Sequence, residues 1–135
     1  MKEKMVSDKD WREFFRICTE CLGQGDQLAS KSASWCAWTT YRRISEDFGY
    51  WACGLPAIDD IGETGIGDGG VWGQPFNYSE LAHMIIPRSF CWEANVDGRF
   101  ERGLRSQDID ELSSRLAAAG FQHRLTDLIL EIKLY

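Results

Sequence analysis

The order of apolar and polar positions predicts two amphipathic helices. The first is predicted over Ser7–Leu22, where apolar side chains recur every three or four residues. These positions are Trp11, Phe14, Phe15, Cys18, Cys21 and Leu22. Ser7 suits the N-cap of this helix, and Gly23 suits its end. The second helix is predicted over Ser106–Ala119, with Gly120 closing it.

Shorter apolar runs in the second half of the chain predict strands. Leu81–Ile86 is almost wholly apolar and stops at Pro87, which predicts a buried strand. Two further runs, Phe90–Ala94 and Arg99–Leu104, flank the predicted turn Asn95–Gly98. That turn contains an Asp-Gly pair, and such a pair between two strand-like runs predicts a β-hairpin.

The end of the chain predicts two more strands, Phe121–Leu125 and Leu128–Leu134, joined at Thr126-Asp127. The second of them alternates in polarity. One face carries Leu128, Leu130, Ile132 and Leu134, and the other carries Ile129, Glu131, Lys133 and Tyr135. This alternation is typical of a sheet that packs on a core with one side and meets water with the other.

The stretch Ser34–Ser45 is compatible with two structures. An alternating pattern of Trp35, Ala37, Thr39 and Tyr41 fits a strand, whereas a spacing of three to four residues from Trp35 to Ser45 fits a helix. Its β-branched and aromatic residues favour the strand. Both interpretations stay open at this point.

Ile58–Pro75 is rich in glycine, which disfavours helix and weakens a strand. It predicts a long surface loop, and loops of this length are usually functional or disordered. Interspersed apolar residues indicate that part of the loop packs against the rest of the protein. They are Ile61, Ile66, Val71 and Trp72.

These elements together predict an α+β fold in a single domain over residues 1–135. We expect an antiparallel or mixed sheet, with the N-terminal helix and the helix at about 106–119 packed on it. The length suits one domain.

The negative charge is concentrated in the middle of the chain. The segment Ile44–Pro87 contains no Lys or Arg and seven acidic residues, within a chain of net charge −6. An acidic chain argues against nucleic acid or an anionic membrane as the main partner, because both attract basic surfaces. It favours a basic protein partner.

The sequence also indicates the cellular compartment in which the protein is expected. The first residues are polar and lack the apolar core of a secretory signal, and no run is long enough to span a membrane. Five irregularly spaced cysteines indicate reduced thiols and not a disulfide framework. We therefore expect a cytoplasmic protein.

The spacing of the cysteines and histidines along the sequence indicates neither a metal site nor a catalytic centre. Cys18 and Cys21 form a CxxC on the apolar face of the first helix, where buried thiols are the simpler interpretation. A Cys/His centre could be assembled from Cys36, Cys53 or Cys91 with a histidine, but no local pattern marks such a pair. His83 lies in an apolar run, where a hydrogen-bonded core histidine is the more common case. We expect no cofactor, no metal and no catalytic residue.

The glycine-rich loop is the strongest candidate for a contact surface. Its acids would attract a basic protein, and neighbouring aromatic rings would anchor it. The predicted partner-binding residues are Asp59, Asp60, Glu63, Asp68, Trp72, Phe76 and Tyr78. A merely solvated acidic loop is the competing interpretation.

Three segments in the second half resemble small bacterial proteins of the immunity type, which are encoded beside secreted or contact-delivered toxins. They are residues 83–90, 107–112 and 123–135, which read HMIIPRSF, QDIDEL and HRLTDLILEIKLY. The resemblance implies a small, acidic, cytosolic inhibitor that plugs a toxin domain. This implied function agrees with the concentration of negative charge in the middle of the chain. The alternative to a non-enzymatic binding protein is a small enzyme with a Cys/His centre.

Overall fold

The computed structural model describes residues 7–46, 49–67, 71–72 and 75–135. It contains three α-helices, α1 (Asp8–Leu22), α2 (Tyr41–Ser45) and α3 (Ile109–Ala118). The strands are β1 (Cys36–Thr40), β2 (Trp51–Cys53), β3 (Gly65–Ile66), β4 (Phe76–Asn77), β5 (Leu81–Pro87), β6 (Ser89–Val96), β7 (Arg99–Ser106), β8 (Arg124–Leu125) and β9 (Ile129–Lys133).

Five strands form an antiparallel sheet in the order β2-β1-β5-β9-β8. The central strand β5 pairs with β1 on one side and with β9 on the other, and Met84 lies opposite both Trp38 and Ile132. This sheet, with an N-terminal helix and a further helix, confirms the predicted α+β fold.

One face of the sheet meets the two long helices. Residues Trp38, Met84 and Ile132 on this face are buried and share one hydrophobic core with α1 and α3. Helix α1 contributes Trp11, Phe14, Phe15 and Cys18, and α3 contributes Ile109, Leu112 and Leu116. The apolar stripes predicted from the sequence are therefore the surfaces by which both helices pack.

Both helices begin at side-chain caps. In α1, the Asp10 amide donates to Ser7 Oγ, and Gly23 follows the helix with φ 99°. Helix α3 begins at Ile109 and not directly after Ser106, because Ser106 still belongs to β7. Both Ser106 and Asp108 are candidate caps by residue type. The N-cap of α3 is Asp108, whose carboxylate accepts a hydrogen bond from the Glu111 amide at 3.0 Å.

The stretch Ser34–Ser45 contains both predicted structures. Residues Cys36–Thr40 form β1, and the chain then turns into α2. The switch occurs at Thr40, whose hydroxyl accepts a hydrogen bond from the Arg43 amide and so caps the short helix.

The strand predicted over Phe121–Leu125 is wrong for its first three residues. Only Arg124 and Leu125 pair with β9. Phe121 is buried, and its amide donates to the Leu116 carbonyl, so this residue ends α3 instead of joining the sheet.

The predicted hairpin is confirmed and longer than expected. Strands β6 and β7 pair from Ser89↔Ser106 to Val96↔Arg99, which leaves a two-residue turn at Asp97 and Gly98. Both turn residues have positive φ, 51° and 78°, the conformation that two-residue hairpin turns require. These strands form a sheet of their own, and we call Ser89–Ser106 the arm.

The arm joins the rest of the molecule at its base through Gln107, which is buried. Its side-chain oxygen accepts from the Trp35 amide, and its side-chain NH2 donates to the Trp35 and Pro87 carbonyls. One amide therefore connects the entry to β1, the end of β5 and the end of the arm.

Among the described residues, no helix combines the length and the apolar character that crossing a membrane requires.

The geometry of Gln107 predicts the effect of a one-atom change. In Gln107→Glu an ionised carboxylate cannot donate to either carbonyl, so we expect the free energy of unfolding at neutral pH to fall by about 3 kcal/mol. Because protonation restores one donor, part of the loss should be recovered near pH ~4. Chemical denaturation measures both effects. Gln122→Glu, at an exposed position, is the matched control, and equal losses in the two variants would contradict the interpretation.

Candidate functional site

The predicted loop is ordered by its own backbone over Ile58–Gly67, which we call the acidic loop. A short 3-10 turn covers Ile58–Asp60, and the Asp60 carbonyl accepts a hydrogen bond from the Gly67 amide at 2.8 Å. The Gly62 amide donates to the Gly65 carbonyl at 2.9 Å. Together with a bridge between Ile61 and Ile66, these contacts close the segment on itself.

Strand β4 and Tyr78 hold the acidic loop against the body of the protein. The Tyr78 hydroxyl donates to the Gly62 carbonyl at 2.7 Å, and its amide donates to the Thr64 carbonyl at 2.9 Å. Gly65 pairs with Asn77, and a Cβ on Gly65 would lie 2.1 Å from the Phe76 carbonyl oxygen. Only glycine allows the two backbones to approach so closely.

The aromatic residues predicted as contact anchors lie in the core. Trp72, Phe76 and Tyr78 are all buried. Trp72 stacks on Trp38 with ring centroids 3.8 Å apart, and Phe15 contacts both Trp72 and Tyr78. Large rings lose more contact with water in the core than at a loop edge, which is the physical reason for their placement. The expectation of an aromatic-edged surface is therefore wrong for these three residues.

The carboxylates of the acidic loop remain outside the core. Asp59 and Glu63 are exposed and Asp60 is half-buried, while Asp68 lies outside the described residues. Within the part of the chain that the structure describes, none of the three forms a salt bridge. Nor do the described residues include a group of three or more acidic, histidine or cysteine side chains that could hold a metal ion. The acids are solvated charges on an ordered backbone.

A second polar group lies on the face of the sheet opposite the helices. His83 Nε2 lies 2.7 Å from Glu131 Oε1, and His83 Nδ1 lies 2.7 Å from the Tyr50 hydroxyl. The Tyr50 hydroxyl is also 3.3 Å from that of Tyr135, and Arg124 contacts the second oxygen of Glu131 at 3.4 Å. We call Tyr50, His83, Glu131 and Tyr135 the tyrosine–histidine cluster.

The direction of each hydrogen bond in this cluster follows from which groups can donate and which can accept. An ionised Glu131 can only accept, so His83 Nε2 donates to it. In a neutral ring Nδ1 is then the acceptor, and the Tyr50 hydroxyl donates to it. Burial is the main cause that raises the pKa of Tyr50 to about 12, and the hydrogen bond with Tyr135 is the second cause. Tyr50 is therefore a protonated donor at neutral pH and not a phenolate base.

The cluster confirms that His83 is a hydrogen-bonded histidine, because it is buried and both of its ring nitrogens have partners. It also changes the expectation for β9. Glu131 lies on the predicted face, yet it is buried, since His83 and Arg124 contact its two oxygens. Tyr50 and Glu131 were missed as partners because they meet His83 only through the register of the sheet.

Four of the five thiols, Cys18, Cys21, Cys36 and Cys53, have a pKa that burial raises. Burial raises the pKa of Cys18 and Cys36 well above the ordinary value and that of Cys53 to about 12. Cys91 is exposed on the arm. Among the hydrogen bonds of the described residues, none joins a cysteine to a histidine. His123 instead contacts Ser113 Oγ through Nε2 and the Phe121 carbonyl through Nδ1.

A cleft of about 640 Å³ lies beside Trp51 and Phe76. It is lined by charges of both signs, since Arg42 and Arg43 face it together with Glu46 and Glu80. Arg43 lies over the Trp51 ring at 3.6 Å and donates from Nε to the Gly49 carbonyl. The cleft therefore carries charges of both signs and does not favour a ligand of one charge.

We found no match to this chain among known protein-family models, among characterised proteins or among solved structures. The acidic loop presents three carboxylates, those of Asp59, Asp60 and Glu63, which have no salt-bridge partner in the part of the chain that the structure describes. Hydrogen bonds and buried rings hold the backbone that bears them.

The tyrosine–histidine cluster predicts a cost for losing one hydroxyl. Tyr50→Phe leaves His83 Nδ1 without its donor, so we expect the free energy of unfolding to fall by about 1–3 kcal/mol. Tyr41→Phe is the matched control, because Tyr41 is similarly exposed and lies outside the cluster. Thermal or chemical denaturation measures the difference. Equal stability of Tyr50→Phe and wild type would contradict the assigned hydrogen bond.

Proposed function

We propose that this chain is a non-enzymatic protein-binding module that neutralises a bacterial toxin in the cytoplasm, with the acidic loop as its contact surface. The observation that carries the proposal is the combination of order and free charge in that loop. Asp59, Asp60 and Glu63 have no salt-bridge partner among the described residues, although backbone hydrogen bonds at Asp60, Gly62 and Gly67 hold the segment that bears them.

Order matters because binding by a mobile loop loses conformational entropy. A loop that is held before binding loses less, and the difference appears as affinity. Here Tyr78 and the close contact at Gly65 hold the loop, so the carboxylates have fixed positions relative to one another. A partner with matching basic side chains could then pair with them without reorganising the loop.

The negative charge of the acidic loop favours fast association with a basic partner and selectivity for it. The acidic loop belongs to a segment of the sequence without any Lys or Arg, from Ile44 to Pro87. Such a segment attracts a basic protein at long range and repels an acidic one. Toxin domains that act on nucleic acid need basic surfaces, so they are partners of the expected chemistry.

The alternative, a small enzyme with a Cys/His centre, has less support. Four of the five cysteines have pKa values raised by burial, and each of the two histidines uses both of its ring nitrogens in hydrogen bonds within the fold. A nucleophile of that class needs a lowered pKa or a nearby base.

Reversal of the loop charges tests the proposal. We expect Asp59→Lys, Asp60→Lys and Glu63→Lys together to weaken binding to the protein encoded by the neighbouring gene by at least ~100-fold, since several attractive contacts become repulsive. Wild-type affinity should also fall as salt concentration rises. Calorimetry or surface plasmon resonance measures both, and co-expression with that protein measures protection of growth.

A variant with the same change in net charge separates the loop from the whole molecule. The triple substitution Glu13→Lys, Glu20→Lys and Asp127→Lys changes exposed acids elsewhere. It should retain most of the affinity. Equal loss in both triple variants, or binding that is indifferent to the loop charges and to salt, would overturn the proposal.

The order of the loop can be tested without changing any charge. Tyr78→Phe removes the hydroxyl that donates to the Gly62 carbonyl and keeps the buried ring. We expect affinity to fall by about tenfold, because ordering the loop then adds to the cost of binding. Tyr41→Phe, outside the loop, should bind like wild type. Unchanged affinity in Tyr78→Phe would show that this hydrogen bond does not prepare the loop for its partner.

A further inference from the structure

Two buried cysteines lie directly opposite each other in the five-stranded sheet. Cys36 of β1 and Cys53 of β2 are paired in the antiparallel register, and both carry free thiols. Residues opposite each other on antiparallel strands have Cα atoms about 4.5–5.5 Å apart. A disulfide bond joins cysteines whose Cα atoms are about 4.4–6.8 Å apart. The register therefore places this pair within reach of a disulfide bond without a shift of either strand.

The side chains of the two cysteines project in the same direction. Directly opposite residues lie on the same face of a sheet, and both cysteines belong to the hydrophobic core that the sheet shares with the helices. The Cys36 thiol donates to the Gly54 carbonyl, with sulfur and oxygen 3.7 Å apart, and the Cys53 thiol donates to the same oxygen at 3.4 Å. The two sulfur atoms thus converge on one carbonyl oxygen.

Contacts on both sides of the pair hold this register. Two positions along the ladder, on the same face, Trp38 stacks on Trp51 with ring centroids 6.2 Å apart. On the other side, the Gly54 amide donates to the Asp26 carbonyl at 3.0 Å. A slip of one residue would break both contacts and turn Cys53 to the opposite face of the sheet.

We propose that Cys36 and Cys53 form a site of reversible oxidation, at which a low-molecular-weight disulfide converts the two thiols into a disulfide bond between β1 and β2. The pair stays reduced where the surroundings are reducing and responds when they become oxidising. This site lies beyond the proposed function and shares no residue with the acidic loop.

The reaction consists of two thiol–disulfide exchanges. One cysteine loses its proton, and its thiolate attacks a sulfur of the oxidant. The S–S bond of the oxidant breaks, and one half leaves and takes up a proton. The second cysteine then loses its proton, attacks the protein sulfur of the mixed disulfide, forms the bond between the strands and releases the other half, which is protonated in turn. The two cysteine sulfurs are oxidised, and the oxidant is reduced to two thiols.

Burial controls when this reaction begins. It raises the pKa of Cys36 well above the ordinary value and that of Cys53 to about 12, so both thiols are protonated and slow to react in the closed fold. Strand β2 has three residues and lies at the edge of the sheet. Because such a strand opens at a lower cost than a central one, we expect the first attack at Cys53 and a rate that this opening limits.

Peptide mapping of the oxidised wild type tests the site. The folded protein is incubated with oxidised glutathione, the remaining thiols are alkylated in denaturant, and a non-reduced tryptic digest is analysed by mass spectrometry. Trypsin cleaves after Arg42 and Arg43, so the two cysteines fall in different peptides. We expect these two peptides to be cross-linked and to separate after treatment with dithiothreitol. Exposed Cys91 should form its mixed disulfide with glutathione before the cross-link appears.

Three outcomes of the mapping would overturn the proposal. The first is that Cys36 and Cys53 both remain free thiols. The second is a mixed disulfide with glutathione that persists at Cys53 without a cross-link, because the sulfur atoms would then be too far apart to react. The third is a bond from either cysteine to Cys18, which belongs to the same core.

Thermal unfolding shows whether the bond fits the native register. A disulfide that matches the native structure restricts the unfolded chain, so we expect the unfolding midpoint of oxidised wild type to exceed that of the reduced form by roughly 5–10 °C. Cys91→Ser should show the same rise, whereas Cys53→Ser should show none. Circular dichroism confirms that each variant is folded. A cross-link that leaves the wild-type midpoint unchanged or lowers it would overturn the proposal, because the bond would then have formed outside the native register.

Discussion

The burial of Trp72, Phe76 and Tyr78 beside the acidic loop is the constraint on which the rest of the structure depends. These rings pack with Phe15 of α1 and Trp38 of β1, so one aromatic core joins the first helix, the sheet and the loop. The contact has a cost, because neither indole N–H of the stacked Trp38 and Trp72 has a hydrogen-bond partner among the described residues. Two unpaired donors cost about 1–3 kcal/mol each, which the large apolar area of the rings offsets.

The same constraint assigns different roles to the two kinds of residue in the base-free segment. Its buried rings Trp72, Phe76 and Tyr78 stabilise the fold, and the carboxylates of the acidic loop have no salt-bridge partner among the described residues. An acidic loop without buried anchors would be an ordinary solvated segment. With them, the positions of Asp59, Asp60 and Glu63 depend on the packing of the core.

The long periodic elements could be predicted from the sequence because each carries its own signal. Helices α1 and α3, strand β5 and the arm have a clear spacing of apolar residues, caps or an Asp-Gly turn, and the structure contains all four. The aromatic residues near the loop could not be placed, because the sequence marks a ring as large and apolar without indicating whether it faces the core or a partner. The tyrosine–histidine cluster could not be predicted either, since its residues are far apart in the chain. His83 and Glu131 meet through the pairing of β5 with β9, and Tyr50 directly precedes β2, which β1 connects to β5.

Native-state hydrogen exchange of the loop amides tests the central claim, that the acidic loop is ordered before any partner binds. The amides of Gly62, Gly67 and Tyr78 donate to the carbonyls of Gly65, Asp60 and Thr64. The account predicts that these three amides exchange far more slowly than those of an unstructured peptide. Exchange at the rate of an unstructured peptide would contradict it, because the carboxylates would then lie on a disordered segment.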